Sequence, residues 1–513
     1  MAQSIPSVSA DMFEFVNTDS NIHDEKFKTK PRGYFADAFL RFKKNKSSVV
    51  AAFIIAFLIL FSILSPIISP YTVYDKDNVY ANFPPYIPAI AESGIGLFDG
   101  SRKFNAMNSK DVNKYQAIAQ ETGYNPLLNE PEMYEVEERY RGQPIIKTYY
   151  SAKLNCYYMI GAQFVSLSYE KFEDIQRFQD RTGIQVILPY VEIKNDSANA
   201  DSLQGANDWY QVDKNGEAIK DANGRFINNY STDASKAGPI AYTSQRIAGD
   251  DGSYIYSWAK SGSLNVRVCY YNYYQYLNGM EPTHYMGTDE YGRDLFDAIG
   301  TGARFSLVFA VLVSAINLTI GAIYGAIQGY YGGVTDLAMD RVSDILSGVP
   351  SIVVMTLFKL HLSQKIGVFP SVLFAFVLTG WIGMAALTRK QFYRFKSQEY
   401  VMAARTLGAS DRRLIFKHIF PNSLGTMVTS CALVIPGVIS SETSLTYLGI
   451  INLSKVVGTS IGELMECGQR AMASAPHAML FPALFISLLL ISFNLFGNGL
   501  RDAFNPSTRG AED

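Results

Sequence analysis

The sequence predicts an α-helical polytopic membrane protein with six transmembrane helices and an α+β domain inserted between the first two. Three observations predict this fold. Apolar residues collect in runs of bilayer length, which takes roughly 20 residues. A long polar, Tyr-rich segment separates the first run from the second, and basic residues gather beside alternate ends of the runs. The six runs are 48–69, 305–329, 345–362, 367–388, 422–449 and 478–498.

The first run, 48–69, is predicted to be a membrane helix that stays in the protein. It begins far from residue 1, is too long for the apolar part of a signal peptide and has no cleavage site after it. The whole chain of 513 residues is 48% hydrophobic and 18% charged, with a formal net charge of −2. That charge gives no reason to expect a nucleic-acid partner.

The positions of Lys and Arg predict which helix ends face the cytoplasm. Seven basic residues lie within 28–46, eight lie within 389–417, and Arg501 follows the sixth run. Six alternating helices place all three groups on one side. The basic segment 1–47 and the tail 507–513 are therefore predicted to be cytoplasmic, and residues 70–283 extracytoplasmic.

The roughly 210 residues at 70–283 are too long for a connector and are predicted to form a folded domain. Two helices are expected there, 108–123 and 168–183, each with a Ser at its start and a Gly at its end. The sequence 184–193 is typical of a strand. The caps are Ser109 and Ser168, and the terminal residues are Gly123 and Gly183.

Two Asn-Gly dipeptides, at 215–216 and 223–224, predict hairpin turns in the same domain. They do not predict a calcium loop, because Gly216 comes too early and no closing Glu follows. The run YYNYYQY at 270–276 is either a peptide-contacting surface or, more commonly for such residues, a strand facing a core.

The four cysteines predict no metal site, since no CxxC motif and no Cys/His cluster is present. Cys156 and Cys269 both fall in the inserted domain. They could form a disulfide if that domain is extracytoplasmic, or they could be buried free thiols. His361 and His418 are isolated in sequence and suggest no metal ligands.

Residues 399–421 predict two short helices between the fourth and fifth membrane runs. Residues 399–407 are helix formers, and Gly408 fits a C-cap. Ser410 can cap a second helix that ends at Pro421, where the fifth span is expected to begin. Helices near ten residues long are not stable alone in water and need a surface to dock on.

This segment resembles the cytoplasmic coupling loop of ABC importer permeases. The family pattern is Glu-Ala-Ala, three residues, Gly, nine or ten more, then Ile-x-Pro. Met402 stands at the position of the pattern's Glu, and Glu399 lies one turn earlier. The resemblance implies that the loop seats in a groove of an ATPase subunit. The matching residues are Ala403, Ala404, Gly408, Ile419 and Pro421.

Three more segments resemble the dipeptide/oligopeptide/nickel permeases, and specifically their second, C-type subunit. They are the N-terminal region from about 35 to 72, the signature at 284–307 and the closing motif NLFGNGLRDAFNP. The resemblance covers roughly 35–72 and 284–506, and the insert has no counterpart in the family. The signature matches are Gly287, Thr288, Asp289, Gly292, Arg293, Asp294, Gly302, Ala303, Arg304 and Ser306.

The resemblance implies the type I ABC importer permease fold, with helices 2–6 and the coupling helices in 284–506. It implies a non-catalytic permease subunit for peptides in a bacterial cytoplasmic membrane. The implied partners are a second permease, two subunits that bind ATP and Mg, and an extracytoplasmic substrate-binding protein. The sequence itself has no GxxxxGK[ST] motif for ATP phosphates. The alternatives are a nickel or other small-solute importer, and a receptor or scaffold with a ligand-binding outer domain.

Two groups of charged residues have more than one reading. Asp289, Arg293 and Asp294 are expected to form a structural ion-pair network rather than to contact substrate. Glu442 is costly inside a membrane and should face protein or water. It either lines the pathway or caps a bend after Pro436.

Overall fold

The computed structural model describes residues 34–94, 96–141, 143–191, 205–232, 254–452 and 458–504. The first 33 residues and the predicted tail 507–513 lie outside this range. The longer helices are α1 Tyr34–Lys44, α2 Lys46–Ile68, α3 Ser109–Thr122, α4 Tyr169–Thr182, α5 Tyr270–Asn278, α6 Leu295–Tyr331, α7 Gly333–Ser347, α8 Ser351–Ile366, α9 Val368–Lys396, α10 Glu399–Thr406, α11 Asp411–Tyr447, α12 Ile461–Arg470 and α13 His477–Phe504. The strands are β1 Ser101–Met107, β2 Glu132–Tyr140, β3 Gln143–Asn155, β4 Ala162–Leu167, β5 Ile187–Leu188, β6 Ser257–Lys260 and β7 Ser263–Cys269.

Five of these helices, α2, α6, α9, α11 and α13, are long and apolar enough to cross a membrane. The predicted third span, 345–362, falls instead on the pair α7 and α8, which is bent by 71°. Pro350 precedes α8 and lacks the backbone N–H that a continuous helix needs. Among the described residues there are therefore five continuous helices that could span a membrane, and a sixth span only if this bent pair crosses as one.

Two helices begin earlier than the apolar runs they contain. Helix α6 begins at Leu295 rather than 305, because the Asp294 side chain caps it by accepting from the Asp297 amide. Helix α11 begins at Asp411 and continues through Pro421, so the helix boundary predicted at that proline is wrong. A π-helical stretch, Leu414–Ile419, directly precedes Pro421. Such a widened turn accommodates a proline ring without ending the helix.

Contacts between helices fix their relative directions. Gly300, near the start of α6, packs closely on Ser65, near the end of α2. The Ser48 hydroxyl at the start of α2 donates to the carbonyl of Leu495 near the end of α13 (3.2 Å). Helices α6 and α13 therefore run antiparallel to α2. The ends of α6 and α13 and the start of α2 lie at one end of the bundle, and the inserted domain leaves from the other.

The described part of the segment between α2 and α6 contains two antiparallel sheets and three helices of nine residues or more, α3, α4 and α5. One sheet has the order β1-β3-β2, and in the other β7 pairs with β4, β5 and β6. A Tyr-rich core lies against the second sheet and includes Tyr80, Tyr86 and Tyr157, each at most 1% exposed. The first sheet has a separate small core of Met107, Ala152 and Leu154. The Tyr86 and His284 backbones form an antiparallel bridge with two hydrogen bonds of 2.8 Å. The chain thus enters and leaves this domain side by side.

The predicted helices of the insert are present, with one cap reassigned. Gly123 and Gly183 end α3 and α4 in the left-handed conformation, and Ser168 caps α4, as predicted. Helix α3 is capped by Asn108 rather than Ser109. Asn108 and Asp111 form a capping box, in which each side chain accepts from the other's backbone N–H.

The strand predictions for the insert fare less well. The strand expected over 184–193 is reduced to Ile187–Leu188, and its last two residues lie outside the described range. Both Asn-Gly dipeptides form turns as predicted. Gly216 and Gly224 have φ of 78° and 77°, and each turn is closed by a bridge between flanking residues.

The tyrosine run at 270–276 is a helix, α5, so the strand prediction is wrong, while the expectation that these residues face a core is confirmed. Tyr270, Tyr271, Tyr273 and Tyr274 are all buried in the Tyr-rich core. Their spacing of i, i+1, i+3 and i+4 fits the inner face of a helix better than a period of two.

The candidate disulfide is absent: Cys156 and Cys269 are both free and buried. Burial raises the pKa of each thiol to about 12.

Candidate functional site: the elbow and the signature cluster

Residues 399–421 form a compact turn of two helices, here called the elbow. Glu399 lies in the first turn of α10, where a carboxylate favours the positive end of the helix dipole. The helix ends because Gly408 adopts φ of 82°, a conformation that costs other residues energy. The Ala409 amide then donates to the carbonyl of Ala404 (3.0 Å), which closes the turn. Ser410 takes the predicted N-cap position of α11 but makes no side-chain cap bond.

The elbow is seated on a small apolar core at the end of α6. Val401, Leu414 and Ile419 are completely buried there against Tyr330 of α6 and Phe392 of α9. These contacts supply the docking surface that the short helices require.

Polar contacts hold the elbow on this base. Tyr330 donates its hydroxyl to Asp411, and the Arg405 guanidinium donates to the same hydroxyl at 3.3 Å. The Asn422 amide donates to the Tyr400 hydroxyl at 3.1 Å, which joins α10 to α11. Both helices of the elbow are therefore tied to the bundle and to each other.

The base itself is clamped by charged residues. Arg389 of α9 pairs with Asp336 at 2.6 Å and with Asp340 at 2.9 Å, both on α7. The Lys396 ammonium donates to the carbonyl of Gly329 at 3.0 Å. Helices α6, α7 and α9 are thus linked to one another beneath the elbow.

The outer face of the elbow exposes large apolar side chains. Leu407 is 87% exposed, Phe416 60% and Met402 51%. Exposed aliphatic and aromatic residues on one short segment are typical of surfaces that contact another protein or a membrane. Arg412, Arg413 and Lys417 are exposed beside them and make this surface basic.

The predicted coupling residues divide between the two faces. Ile419 is buried in the base, and Ala404 is partly buried against it. The others are exposed: Glu399, Ala403, Gly408 and Pro421. The sequence prediction did not include Leu407 and Phe416, although an apolar residue inside a basic, polar stretch was the available signal.

The signature residues form a second cluster at the opposite end of α6. The Thr288 hydroxyl donates to the carbonyl of Tyr80 and accepts from the Phe83 amide (2.8 Å). The Asn82 amide donates to the carbonyl of Asp289 at 2.8 Å. Thr288 and Asp289 thereby fasten the start of the inserted domain to the membrane core.

Asp289 and Arg293 form a buried ion pair, with 2.7 Å between Asp289 Oδ2 and Arg293 Nε. Arg293 also reaches Glu463 of α12 (3.4 Å). Asp294 is not part of this pair: its carboxylate contacts His284 Nδ1 at 2.9 Å and caps α6. Asp289, Arg293 and Glu463 therefore form one ion-pair network, and Asp294 with His284 forms another.

Two glycines of the signature permit close packing. Gly287 and Gly292 have φ of 79° and 71°, and a Cβ at either would collide with the backbone of Phe83 or Asp77. Arg304 is exposed on α6, away from the ion pair.

Helix α12 is tied to the same cluster from outside. Arg470 pairs with Glu290, and with Glu466 at 2.7 Å. The hydrogen bond from Arg470 lowers the pKa of Glu290 below its usual value. Burial raises the pKa of Glu463, and the charge of Arg293 opposes that shift.

Glu442 is completely buried in α11, where it accepts from the hydroxyls of Ser306 (2.9 Å) and Thr446 (3.2 Å). Its carboxylate joins α11 to α6. Pro436 is also buried, and α11 is continuous through it. In the described parts of the chain, no group of three or more His, Cys, Asp or Glu side chains could hold a metal ion.

Comparisons with known proteins agree with these features. Residues 295–510 match the model of the binding-protein-dependent transport system inner membrane component. Residues 33–85 match that of the N-terminal TM domain of oligopeptide transport permease C.

The chain aligns with most of the length of its curated relatives. The oligopeptide transport system permease protein OppC of Bacillus subtilis is 40% identical over 45% of this chain and 76% of its own. The dipeptide transport system permease protein DppC of the same organism is 37% identical over 44% of this chain and 69% of its own. A solved structure of the MetNI methionine ABC transporter, in inward-facing conformations, covers 40% of this chain and 96% of its own. Its identity is 13% and its TM-score of 0.33 is too low to carry an argument.

Proposed function

Because this chain belongs to the family of binding-protein-dependent transport system inner membrane components, we propose that it is the C-type permease subunit of an ATP-driven peptide importer. The matched relatives are named as oligopeptide and dipeptide permeases, which supports peptides as the transported class. The chain is non-catalytic, and ATP hydrolysis belongs to partner subunits.

The exposed elbow is the observation that carries this proposal. Its outer face offers Leu407, Phe416 and Met402 to a partner, and its base is rigidly joined to α6, α7 and α9. We expect an ATPase subunit, which binds ATP and Mg, to hold this face. Closure of two such subunits would then push on the elbow and move the spans between inward-open and outward-open states.

The arrangement of the bundle supports an orientation in a bacterial cytoplasmic membrane. The elbow, the basic helix α1 and the end of α13 lie at one end, and the inserted domain at the other. The positive-inside rule places the basic end in the cytoplasm. A second permease would complete the pathway, and an extracytoplasmic binding protein would deliver peptide to the opposite end.

Leu407→Asp tests the elbow. A carboxylate at this exposed position should leave the fold intact, since Leu407 has few contacts to lose. In a hydrophobic partner groove it should reduce co-purification of the ATPase subunits at least tenfold. The matched control is Leu97→Asp in the inserted domain, where the leucine is 61% exposed. Equal recovery of the ATPases with both variants would contradict the proposal.

The inserted domain is proposed to dock the substrate-binding protein or to gate its access. The Tyr86–His284 bridge shows how to test this, since residues 88–282 can be replaced by a two-residue Asn-Gly turn between Ile87 and Thr283. If the ATPase subunits still co-purify with the shortened chain, its membrane core has assembled. We expect binding-protein association to be lost. If association and uptake both survive, the domain has no docking role.

The substrate class is tested with the complete complex in proteoliposomes. Labelled di- and oligopeptides should accumulate with ATP, and excess Ni²⁺ should not compete. Uptake of nickel without peptide uptake would favour the small-solute alternative and leave the elbow result unchanged.

A further inference from the structure

Helix α1 is fixed at the end of the bundle where α2 begins. A single residue, Asn45, separates the two helices, and its side chain accepts from the Ser48 amide at the start of α2 (3.3 Å). On its inner side α1 buries Ala38 and sets the Phe42 ring 5.3 Å from that of Phe496 on α13. Helix α1 is therefore a packed part of the bundle, and its other side faces outward.

The outward side of α1 exposes apolar side chains, and one residue separates it from the lipid-like surface of α2. Phe39 is 60% exposed and Leu40 is 40% exposed. Just beyond them, Phe53 and Phe57 of α2 are 73% and 64% exposed, on a helix of mean hydropathy 2.7 that is composed to face lipid. A bilayer that surrounds α2 would therefore have its surface next to α1, because only Asn45 separates the two helices.

Basic residues cluster around this apolar side. The stretch 34–46 holds four basic residues and one acidic residue. The Lys43 ammonium lies 5.2 Å from the centre of the Phe39 ring, and Lys46 is exposed at the start of α2, just beyond Asn45. Aromatic and aliphatic residues edged by lysines are typical of helices that lie in the interface of an anionic membrane.

We propose that α1 lies in the membrane interface and binds the anionic headgroups of phospholipids, with Phe39 and Leu40 inserted among the acyl chains. The proposal uses the membrane setting of the proposed function but not peptide transport or the ATPases. The Lys43 and Lys46 ammonium groups stand beside the inserted residues, at the level of the headgroups. Each lysine near such a surface contributes about a fivefold preference for anionic over neutral lipid.

A fluorescent label at Phe39→Cys tests the insertion. The full-length protein is labelled with an NBD maleimide and placed in nanodiscs of phosphatidylcholine, with or without phosphatidylglycerol. Cys156, Cys269 and Cys467 are buried and Cys431 is partly buried, so the unaltered chain labelled in parallel gives the background. The NBD emission should shift to the blue and be quenched by nitroxide-labelled lipid, more strongly with phosphatidylglycerol. The same label at Glu217→Cys, on an exposed turn of the insert, should stay in water.

The charge requirement is tested by adding Lys43→Gln and Lys46→Gln to the labelled protein. The phosphatidylglycerol needed for half of the emission shift should rise on the order of fivefold for each lysine removed. Lys214→Gln, in an exposed turn of the insert, is the control and should change nothing. An aqueous label, or one shielded by protein and not quenched by lipid, would overturn the proposal. Equal quenching in neutral and anionic discs would overturn the choice of anionic headgroups.

Discussion

At the scale of single residues, the backbone at Gly408 controls the shape of the elbow. Its φ of 82° places it in the left-handed region, and open space surrounds the position of a Cβ. A substitution there is opposed by backbone conformation and not by packing. The residue is exposed, so its effect on the elbow is separable from any effect on the core.

Gly408→Ala should therefore lower the free energy of unfolding by about 1 kcal/mol and weaken ATPase co-purification. Gly383→Ala is the matched control, since a Cβ at Gly383 in α9 also meets open space but no positive φ is required. That change should be neutral or stabilising by up to about 1 kcal/mol. Thermal unfolding of the two variants in detergent gives the comparison, and a larger loss for Gly383→Ala would refute the backbone explanation.

The ion pair between Arg470 and Glu290 should make stability depend on pH. The folded pKa of Glu290 lies below its unfolded value, so the pair contributes at pH values above the unfolded pKa and is lost as the pH falls through the folded one. Arg470→Gln should lower stability by about 0.5–1 kcal/mol near pH 7, because Arg470 is half exposed. The difference from the unaltered protein should shrink below about pH 4.5, the ordinary pKa of a glutamate side chain.

Melting temperatures measured from pH 3.5 to 8 check this expectation. Arg177→Gln removes a more exposed pair, in which Arg177 is 66% and Asp174 47% exposed, and serves as the control, with no measurable change expected. A difference that stays constant across the pH range would show that Arg470 acts by packing rather than by charge.

At the scale of elements, sequence signals for helix ends predicted much of the structure. Gly123, Gly183 and Ser168 end or begin helices as their chemistry dictates. Pro421 misled the prediction, because a proline usually interrupts a helix. Here the π-helical stretch before it lets α11 continue through the proline, and its Leu414 and Ile419 are buried in the base of the elbow.

The tyrosines at 270–276 were predicted to form a strand but form a helix. Their β propensity was outweighed by burial in a core built from distant residues such as Tyr80 and Tyr157. The sequence locates the elbow and the signature, but it does not show that Asp289 and Arg293 meet Glu463. That contact depends on tertiary packing between segments about 170 residues apart.

The start of α3 offers a direct test of one reassigned cap. Asn108→Ala should remove the bond to the Asp111 amide and destabilise the helix by about 1 kcal/mol. Ser109→Ala, at the position predicted from sequence, should have little effect. Hydrogen exchange of the full-length protein should show about fivefold faster exchange in the first turn of α3 for the Asn108 variant alone. Equal effects would restore Ser109 as the cap.

At the scale of the whole molecule, helix directions and charge make the same prediction of topology. The elbow lies at the end of the bundle opposite to the inserted domain. The native thiols at 156, 269 and 467 are buried and should give little background labelling.

An impermeant maleimide applied to intact cells should label Glu217→Cys and leave Leu407→Cys unlabelled. Both sites are exposed in the structure, so accessibility to the reagent depends on the side of the membrane. After the cells are opened, both variants should react. Labelling of Leu407→Cys before opening would reverse the assigned orientation.

The adjoining entry and exit strands at Tyr86 and His284 have a practical consequence. A foreign protein whose N- and C-termini lie close together could be inserted between Tyr86 and His284 without changing the packing of the membrane helices. A permease carrying a fluorescent protein at that junction would report its position on the cell surface, while its membrane portion kept the backbone contacts that it has here.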